Sequence, residues 1–141
     1  MKTTLLLLSL IFATVSMENA DAIIGVWKNA TGKGHIQIYK SNNRYYGKII
    51  WLKNAVDNAG RPKLDHKNTD PGKRNHPLIG LVMLRGFTFD DGEWNGGMIY
   101  NPSDGKEYKA FMKLKTESTL LVRGYVGLSV IGKTDTWTRV R

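Results

Sequence analysis

Apolar and polar residues alternate along most of this chain, and turn-forming residues cut the alternation into short runs. In residues 35–40, Ile36 and Ile38 fall on one face while His35, Gln37 and Tyr39 fall on the other. That is the period of two of an extended strand, whose successive side chains point to opposite sides. Residues 106–115 set Tyr108, Ala110, Met112 and Leu114 against Lys109, Phe111, Lys113 and Lys115, which describes one buried and one wet face. In residues 120–128, Leu120, Val122, Gly124 and Val126 oppose Leu121, Arg123, Tyr125 and Gly127. Further strands are expected over 23–28, 44–52, 79–89, 93–100 and 134–140, making eight in all. Gly47 and the Gly96-Gly97 pair mark bends or bulges within them. Between the strands stand turn signals such as Ser41-Asn42-Asn43, Asp90-Asp91-Gly92 and Asn101-Pro102-Ser103-Asp104-Gly105.

Residues 53–78 break the rhythm. They carry three of the four prolines and two of the three histidines, with neither helical nor alternating apolar periodicity. A connection longer than about 15 residues is uncommon inside a compact domain and usually carries function, so an ordered functional loop is expected here. No other connection is long enough for Greek-key crossings. The expected fold is therefore all-β, an eight-stranded antiparallel up-and-down β-barrel with one long loop. Closure would also remove exposed strand edges.

The N-terminal residues change the picture of where the barrel begins. Lys2 precedes an apolar run from Leu5 to Val15, and Ala20-Asp21-Ala22 reads as a cleavage site. A leader over 1–22 and a barrel domain over 23–141 are expected. The run is too short for a bilayer crossing of about 20 residues, so no membrane span is expected. The chain has no cysteine, which excludes a disulfide framework, a thiolate nucleophile and a lipid-acylated cysteine. Export without cysteine suits the periplasm of a Gram-negative bacterium, or secretion from one. The 21 Lys and Arg residues outnumber the 12 Asp and Glu by nine; removing Lys2, Glu18 and Asp21 with the leader leaves 20 against 10. Anionic partners follow, from lipid headgroups to small carboxylates.

Gly25-x-Trp27 on the first strand and Trp137-x-Arg139 on the last resemble the lipocalin and calycin pattern. That resemblance implies a tryptophan closing the barrel base under an arginine from the chain's end, and makes Gly25, Trp27, Trp137 and Arg139 the structural closure set. A guanidinium over an indole face contributes about 0.5–2 kcal/mol. A longer set of motifs resembles a family of small exported bacterial proteins known as a domain of unknown function. Its carriers are Gly47-x-Ile49-x-Trp51-Leu52, Asp57-x-x-Gly60-x-Pro62, Asp65-x-x-Asn68-x-Asp70-Pro71-x-x-Arg74, Pro77-Leu78-x-Gly80-Leu81, Trp94-x-Gly96-Gly97-x-Ile99-Tyr100-x-Pro102, Gly105-Lys106-x-Tyr108 and Arg123-Gly124-Tyr125-x-Gly127, beside the closure residues. The resemblance implies a calycin-like barrel and export, with no established activity. One departure is His76, where the family pattern tends to place arginine or lysine before Pro77-Leu78.

The candidate ligand-binding residues are Trp51, Asp65, Asp70, Arg74, Trp94, Tyr100, Tyr108 and Arg123. The aromatic members would face a mostly apolar guest, and Arg123, if turned inward, would pair with an anionic headgroup. The acids Asp65 and Asp70 equally suit turn formation through their own backbone. No catalytic residues are assigned, because no nucleophile elbow or facing carboxylate pair is evident, and a non-enzymatic role is favoured. Neither a metal nor a cofactor is expected: Lys67 and Thr69 occupy places where a calcium loop needs acids or amides. Export argues against nucleic acid. The expected partner is a small amphipathic or anionic, lipid-like molecule, with an acidic envelope surface as a second contact. The alternative is an envelope-associated protein-interaction module whose barrel is filled by its own side chains. Nothing in the sequence sets an oligomeric state.

Overall fold

The computed structural model describes residues 19–141. Eight strands form one closed barrel: β1 (Gly25–Lys28), β2 (Gly34–Ser41), β3 (Arg44–Leu52), β4 (Val82–Asp90), β5 (Glu93–Asn101), β6 (Lys106–Thr116), β7 (Thr119–Tyr125) and β8 (Gly132–Arg139). Each strand pairs antiparallel with the next, and β8 closes on β1 through the pairs Trp27↔Arg139 and Lys28↔Thr138. The meander read from the sequence is the observed topology.

Two boundaries differ from the expectation by three residues, and the others by two or fewer. Strand β4 starts at Val82, because the amides of Leu78 and Gly80 bond to the carbonyls of Lys63 and Ile49 and hold residues 78–81 in a turn. Strand β7 ends at Tyr125, because the Val126 amide reaches back to the Ile131 carbonyl and closes a loop. The tight hairpins follow the turn chemistry: Asn42 and Asn43 have φ of 49° and 61°, and Asp91 and Gly92 have 49° and 77°. Paired positive φ values match the right-handed twist of the flanking strands.

Up-and-down order sorts the connections to two ends. The β2–β3, β4–β5 and β6–β7 turns lie at the base with the start of β1 and the end of β8, and the β1–β2, β3–β4, β5–β6 and β7–β8 connections surround the mouth. The base is packed solid. Trp27, Tyr45, Phe87, Trp94, Met112 and Leu120 are buried there with Ile23, Ile38 and Leu84. Gly97 makes room for this layer, since a Cβ at that position would stand 2.5 Å from the Phe87 ring.

Arg139 closes the base. Its guanidinium lies 4.3 Å from the centroid of the Trp27 ring and donates to the carbonyls of Glu117 at 2.8 Å, Ile24 at 3.1 Å and Ala22 at 2.6 Å. Gly25 is required beneath it: its φ is 150°, and a Cβ would come within 2.6 Å of both Arg139 and the Arg141 carbonyl. The Trp27 indole N–H is spent on the Ile23 carbonyl at 2.9 Å.

Residues 20–22, which the sequence reading places in the leader, are part of this base. They lie in a short 3-10 helix, Ala20–Ile23. The Ala20 carbonyl accepts from the Trp94 indole at 3.1 Å, and an Asp21 carboxylate oxygen accepts from the Tyr45 hydroxyl at 2.6 Å and pairs with Lys40 at 3.2 Å. The apolar run from Leu5 to Val15 lies outside the described residues. A chain cut to 23–141 loses one of the three carbonyl partners of Arg139 and the partners of the Trp94 indole and the Tyr45 hydroxyl, each hydrogen bond being worth about 1 kcal/mol net. It is expected to unfold in urea with about 3 kcal/mol less stability than a chain beginning at Asn19; equal stability would contradict the assignment of residues 20–22 to the base.

Candidate functional site

Above the packed base the barrel is hollow. A cavity of about 980 Å³ opens at the mouth. Its walls are the inward side chains of Ile36, Ile49, Met83, Ile99 and Val122, and Trp137 lies below them. Strand parity explains the set, because Ile36 and Val122 are inward positions of half-wet strands whose alternate residues face solvent. Gly34 and Gly124 also line the space, and their lack of side chains leaves the upper wall thin.

The rim is polar and basic. Lys33 from the β1–β2 turn, Lys63 from the long loop and Lys133 at the start of β8 all border the cavity. Asp135 borders it too and lies 3.5 Å from the Lys133 ammonium. The excess positive charge at the mouth therefore comes from Lys33 and Lys63.

Residues 53–81 form one flank of the mouth rather than a detached excursion. Small bridges, Val56↔Pro62 and Leu64↔Pro77, fold the segment on itself. Asp57 accepts from the Ala59 and Arg61 amides and the Arg61 side chain. Asp70 caps the turn Pro71–Lys73 by accepting from the Gly72 amide, and Arg74 donates to the Asn68 carbonyl at 2.8 Å. The latch to the barrel is Asp65. Only 1% exposed, its carboxylate accepts from the Tyr100 hydroxyl at 2.6 Å and the Asn68 amide at 2.8 Å. Lys67 adds a bond from its ammonium to the Ser103 carbonyl at 2.7 Å.

The electrostatics follow from these contacts. Burial, reinforced by the Asp65 carboxylate that accepts its proton, pushes the Tyr100 hydroxyl up to about 12. At the base, burial and Asp21 push Tyr45 up to about 12 in the same way. The Tyr108 hydroxyl donates to Asp104 on the β5–β6 turn and holds that carboxyl below its usual range.

The eight candidate residues separate into groups. Tyr108 and Tyr100 border the cavity, and Asp65 fixes Tyr100 from behind. Asp70 and Arg74 serve the loop's own turns and do not border the cavity. Trp94 is buried in the base with its indole N–H bound to Ala20, below the hollow. Trp51 is 41% exposed and stacks on His35, with ring centroids 4.3 Å apart, outside the cavity. A bulge moves it there: the register pairs Ile36 with Ile49 and then His35 with Trp51, so Ile50 is the extra residue and the parity flips. Arg123 is next to the cavity-lining Val122 and stands on the other face, donating to the Ser129 carbonyl at 2.7 Å and the Thr134 hydroxyl at 2.8 Å. It braces the β7–β8 loop. The sequence reading missed the aliphatic wall and Lys33 and Lys63; strand parity carried the first, but only the topology says which end stays open.

Among the described residues no group of three or more His, Asp or Glu side chains could hold a metal ion. No helix among them is long and apolar enough to cross a membrane.

Comparison with known proteins agrees with this architecture. The model of a bacterial family described as "Uncharacterized protein conserved in bacteria (DUF2147)" matches residues 25–139. Among solved structures, protein HP1028 from Helicobacter pylori, described as belonging to the lipocalin family, is similar over 84% of this chain and 82% of its own, with 23% identity and a TM-score of 0.73. That likeness is one of fold. No curated protein matches the sequence.

Removing the latch tests its role. Tyr100→Phe leaves a buried carboxylate short of a donor and is expected to lower stability by about 1–3 kcal/mol, with faster proteolysis inside residues 53–78 and an unchanged β spectrum. The tyrosine's contribution has a defined pH window. Its folded value, about 12, lies above the ordinary 10.0, so the contribution is complete below pH 10 and fades as pH rises toward 12. The stability gap between the wild-type and Tyr100→Phe chains should narrow over that range; a gap independent of pH would contradict the latch.

Proposed function

We propose that this chain, which belongs to that uncharacterised bacterial family, is an exported carrier that holds one small amphiphile in the mouth half of its barrel. The guest is a single-chain molecule with an anionic headgroup, such as a fatty acid or a lysophospholipid. Its apolar tail lies among Ile36, Ile49, Ile99 and Val122, and its headgroup meets Lys33 and Lys63 at the rim. The observation that carries this reading is the cavity itself: about 980 Å³, aliphatic within and basic at the opening. That volume is at the upper end of ordinary small-ligand sites, which run from about 300 to 1,000 Å³. Apolar burial supplies affinity and the lysines supply polarity of entry, since charge at a rim steers an anion and fixes which end stays outside. The solid base supports the same orientation, because a tail can enter only from the mouth. A barrel filled by its own side chains, the protein-interaction reading, is disfavoured by the hollow. The N-terminal apolar run and the lack of cysteine support export to the periplasm.

Two measurements test the proposal together. Protein purified from its native compartment should carry a lipid-mass ligand in native mass spectrometry, and protein repeatedly found empty would count against it. In vitro, Ile99→Trp, which narrows the aliphatic wall, should weaken binding of a fluorescent fatty acid while the chain stays folded. Lys33→Glu with Lys63→Glu should weaken that binding by about tenfold, equivalent to about 1.4 kcal/mol. Unchanged binding in both variants would place the ligand elsewhere.

A further inference from the structure

The loop joining β7 to β8 contributes no residue to the buried core, yet it is apolar. Residues 126–131 read Val-Gly-Leu-Ser-Val-Ile and contain no charge. Val126, Leu128, Val130 and Ile131 are each between 62% and 77% exposed. The other exposed large apolar side chains among the described residues, Ile24, Trp51, Val56, Ile79, Val82 and Val140, are each at most 52% exposed, and partly exposed apolar residues are normal for a protein surface. Four in six residues is a concentration that needs a partner.

The loop is built rather than loose. The Val126 amide bonds to the Ile131 carbonyl at 3.0 Å and the Ile131 amide to the Leu128 carbonyl at 2.9 Å. From outside, Arg123 grips the Ser129 carbonyl and the Thr134 hydroxyl. These bonds hold the loop's backbone in one shape while its apolar side chains stay exposed to water. Val126 and Ile131 also border the cavity mouth, so the apolar tip and the opening are continuous. Lys133 follows directly, its side chain 84% exposed and 3.5 Å from Asp135, and Lys33 and Lys63 stand on the same rim with the excess positive charge.

We propose that residues 126–131 dock the open end of the barrel on an anionic lipid surface, so that the mouth faces the layer from which the guest is taken or to which it is delivered. The proposal rests on the carrier reading and adds the place where loading occurs. A short apolar tip flanked by cations is the chemistry of interfacial insertion: the aliphatic side chains enter the boundary between headgroups and acyl chains while the ammoniums meet the headgroups. The whole chain's excess of nine positive charges favours the same surface. A second copy of this chain fits less well. Two six-residue tips cannot bury the roughly 1,200 Å² or more of a stable interface, and pairing would bring two basic rims together.

Flotation of the purified chain with vesicles tests the proposal. The chain should float with vesicles of phosphatidylglycerol and phosphatidylcholine, less so with phosphatidylcholine alone, and progressively less as salt rises. The variant Leu128→Asp with Val130→Asp changes only side chains that do not border the cavity. It should reduce flotation about tenfold or more while fluorescent fatty acid binding in solution stays at the wild-type level. In a second chain, Leu128→Trp should gain tryptophan emission that brominated acyl chains quench. Wild-type flotation with no fatty acid binding would uphold docking and remove the carrier reading, whereas fatty acid binding without flotation would do the reverse. Docking is also overturned if the aspartate variant floats as well as wild type, if the Leu128→Trp signal is not quenched, or if sedimentation shows a concentration-dependent dimer that the aspartates abolish.

Discussion

An eight-stranded barrel has to be sealed somewhere, and here the seal is a single arginine. Arg139 covers the Trp27 ring and ties the last strand to the carbonyls of Ala22, Ile24 and Glu117. Its position dictates that Gly25 carry no side chain, and it makes residues 20–22 structural. With β1 and β8 joined in this way the barrel closes, and among the described residues its strands leave no open edge to pair with other chains. The aromatic layer of Trp27, Tyr45, Phe87 and Trp94 then fills the same end. Because large rings occupy the base, the void that remains is confined to the mouth.

The mouth is shaped by two segments that are held in different ways. Residues 53–81 are folded by their own bridges and pinned through a buried pair, Asp65 and Tyr100. A buried carboxylate is costly unless it accepts hydrogen bonds, and that cost makes the latch specific: residues 53–78 have one seating in which Asp65 is satisfied. The β7–β8 loop is held by backbone bonds and Arg123, with its apolar side chains outward. One segment gives the opening a rigid flank with Lys63, and the other gives it an apolar lip. With the aliphatic wall, they bring the opening of the cavity and the exposed apolar loop to the same end of the barrel.

Much of this was legible in the sequence. Alternation revealed the strands, and the pairs Asn42-Asn43 and Asp91-Gly92 revealed the hairpins, because both signals depend only on local chemistry. Gly25, Trp27 and Arg139 could be assigned through the lipocalin-like pattern. The site was less legible for three physical reasons. A bulge at Ile50 inverts the parity of β3 and puts Trp51 outside. Trp94 belongs to the base because Ala20, far away in the chain, supplies its hydrogen-bond acceptor. Arg123 has its partners on the adjoining loop and strand, a pairing that only the β7–β8 register discloses. The acids of residues 53–78 divided as turn chemistry suggests, Asp70 serving a local cap, while Asp65 became a long-range anchor that no local signal distinguishes.

The central claim is that the hollow above the aromatic layer is where an anionic amphiphile sits, tail down. Its most direct test is an isotope-edited NMR spectrum of the chain with a carbon-13-labelled fatty acid. The acyl protons should show contacts to the methyl groups of Ile36, Ile49, Ile99 and Val122, with the carboxyl end nearest Lys33 and Lys63. Contacts confined to the outer face around Trp51, or none at any methyl of the inner wall, would contradict it.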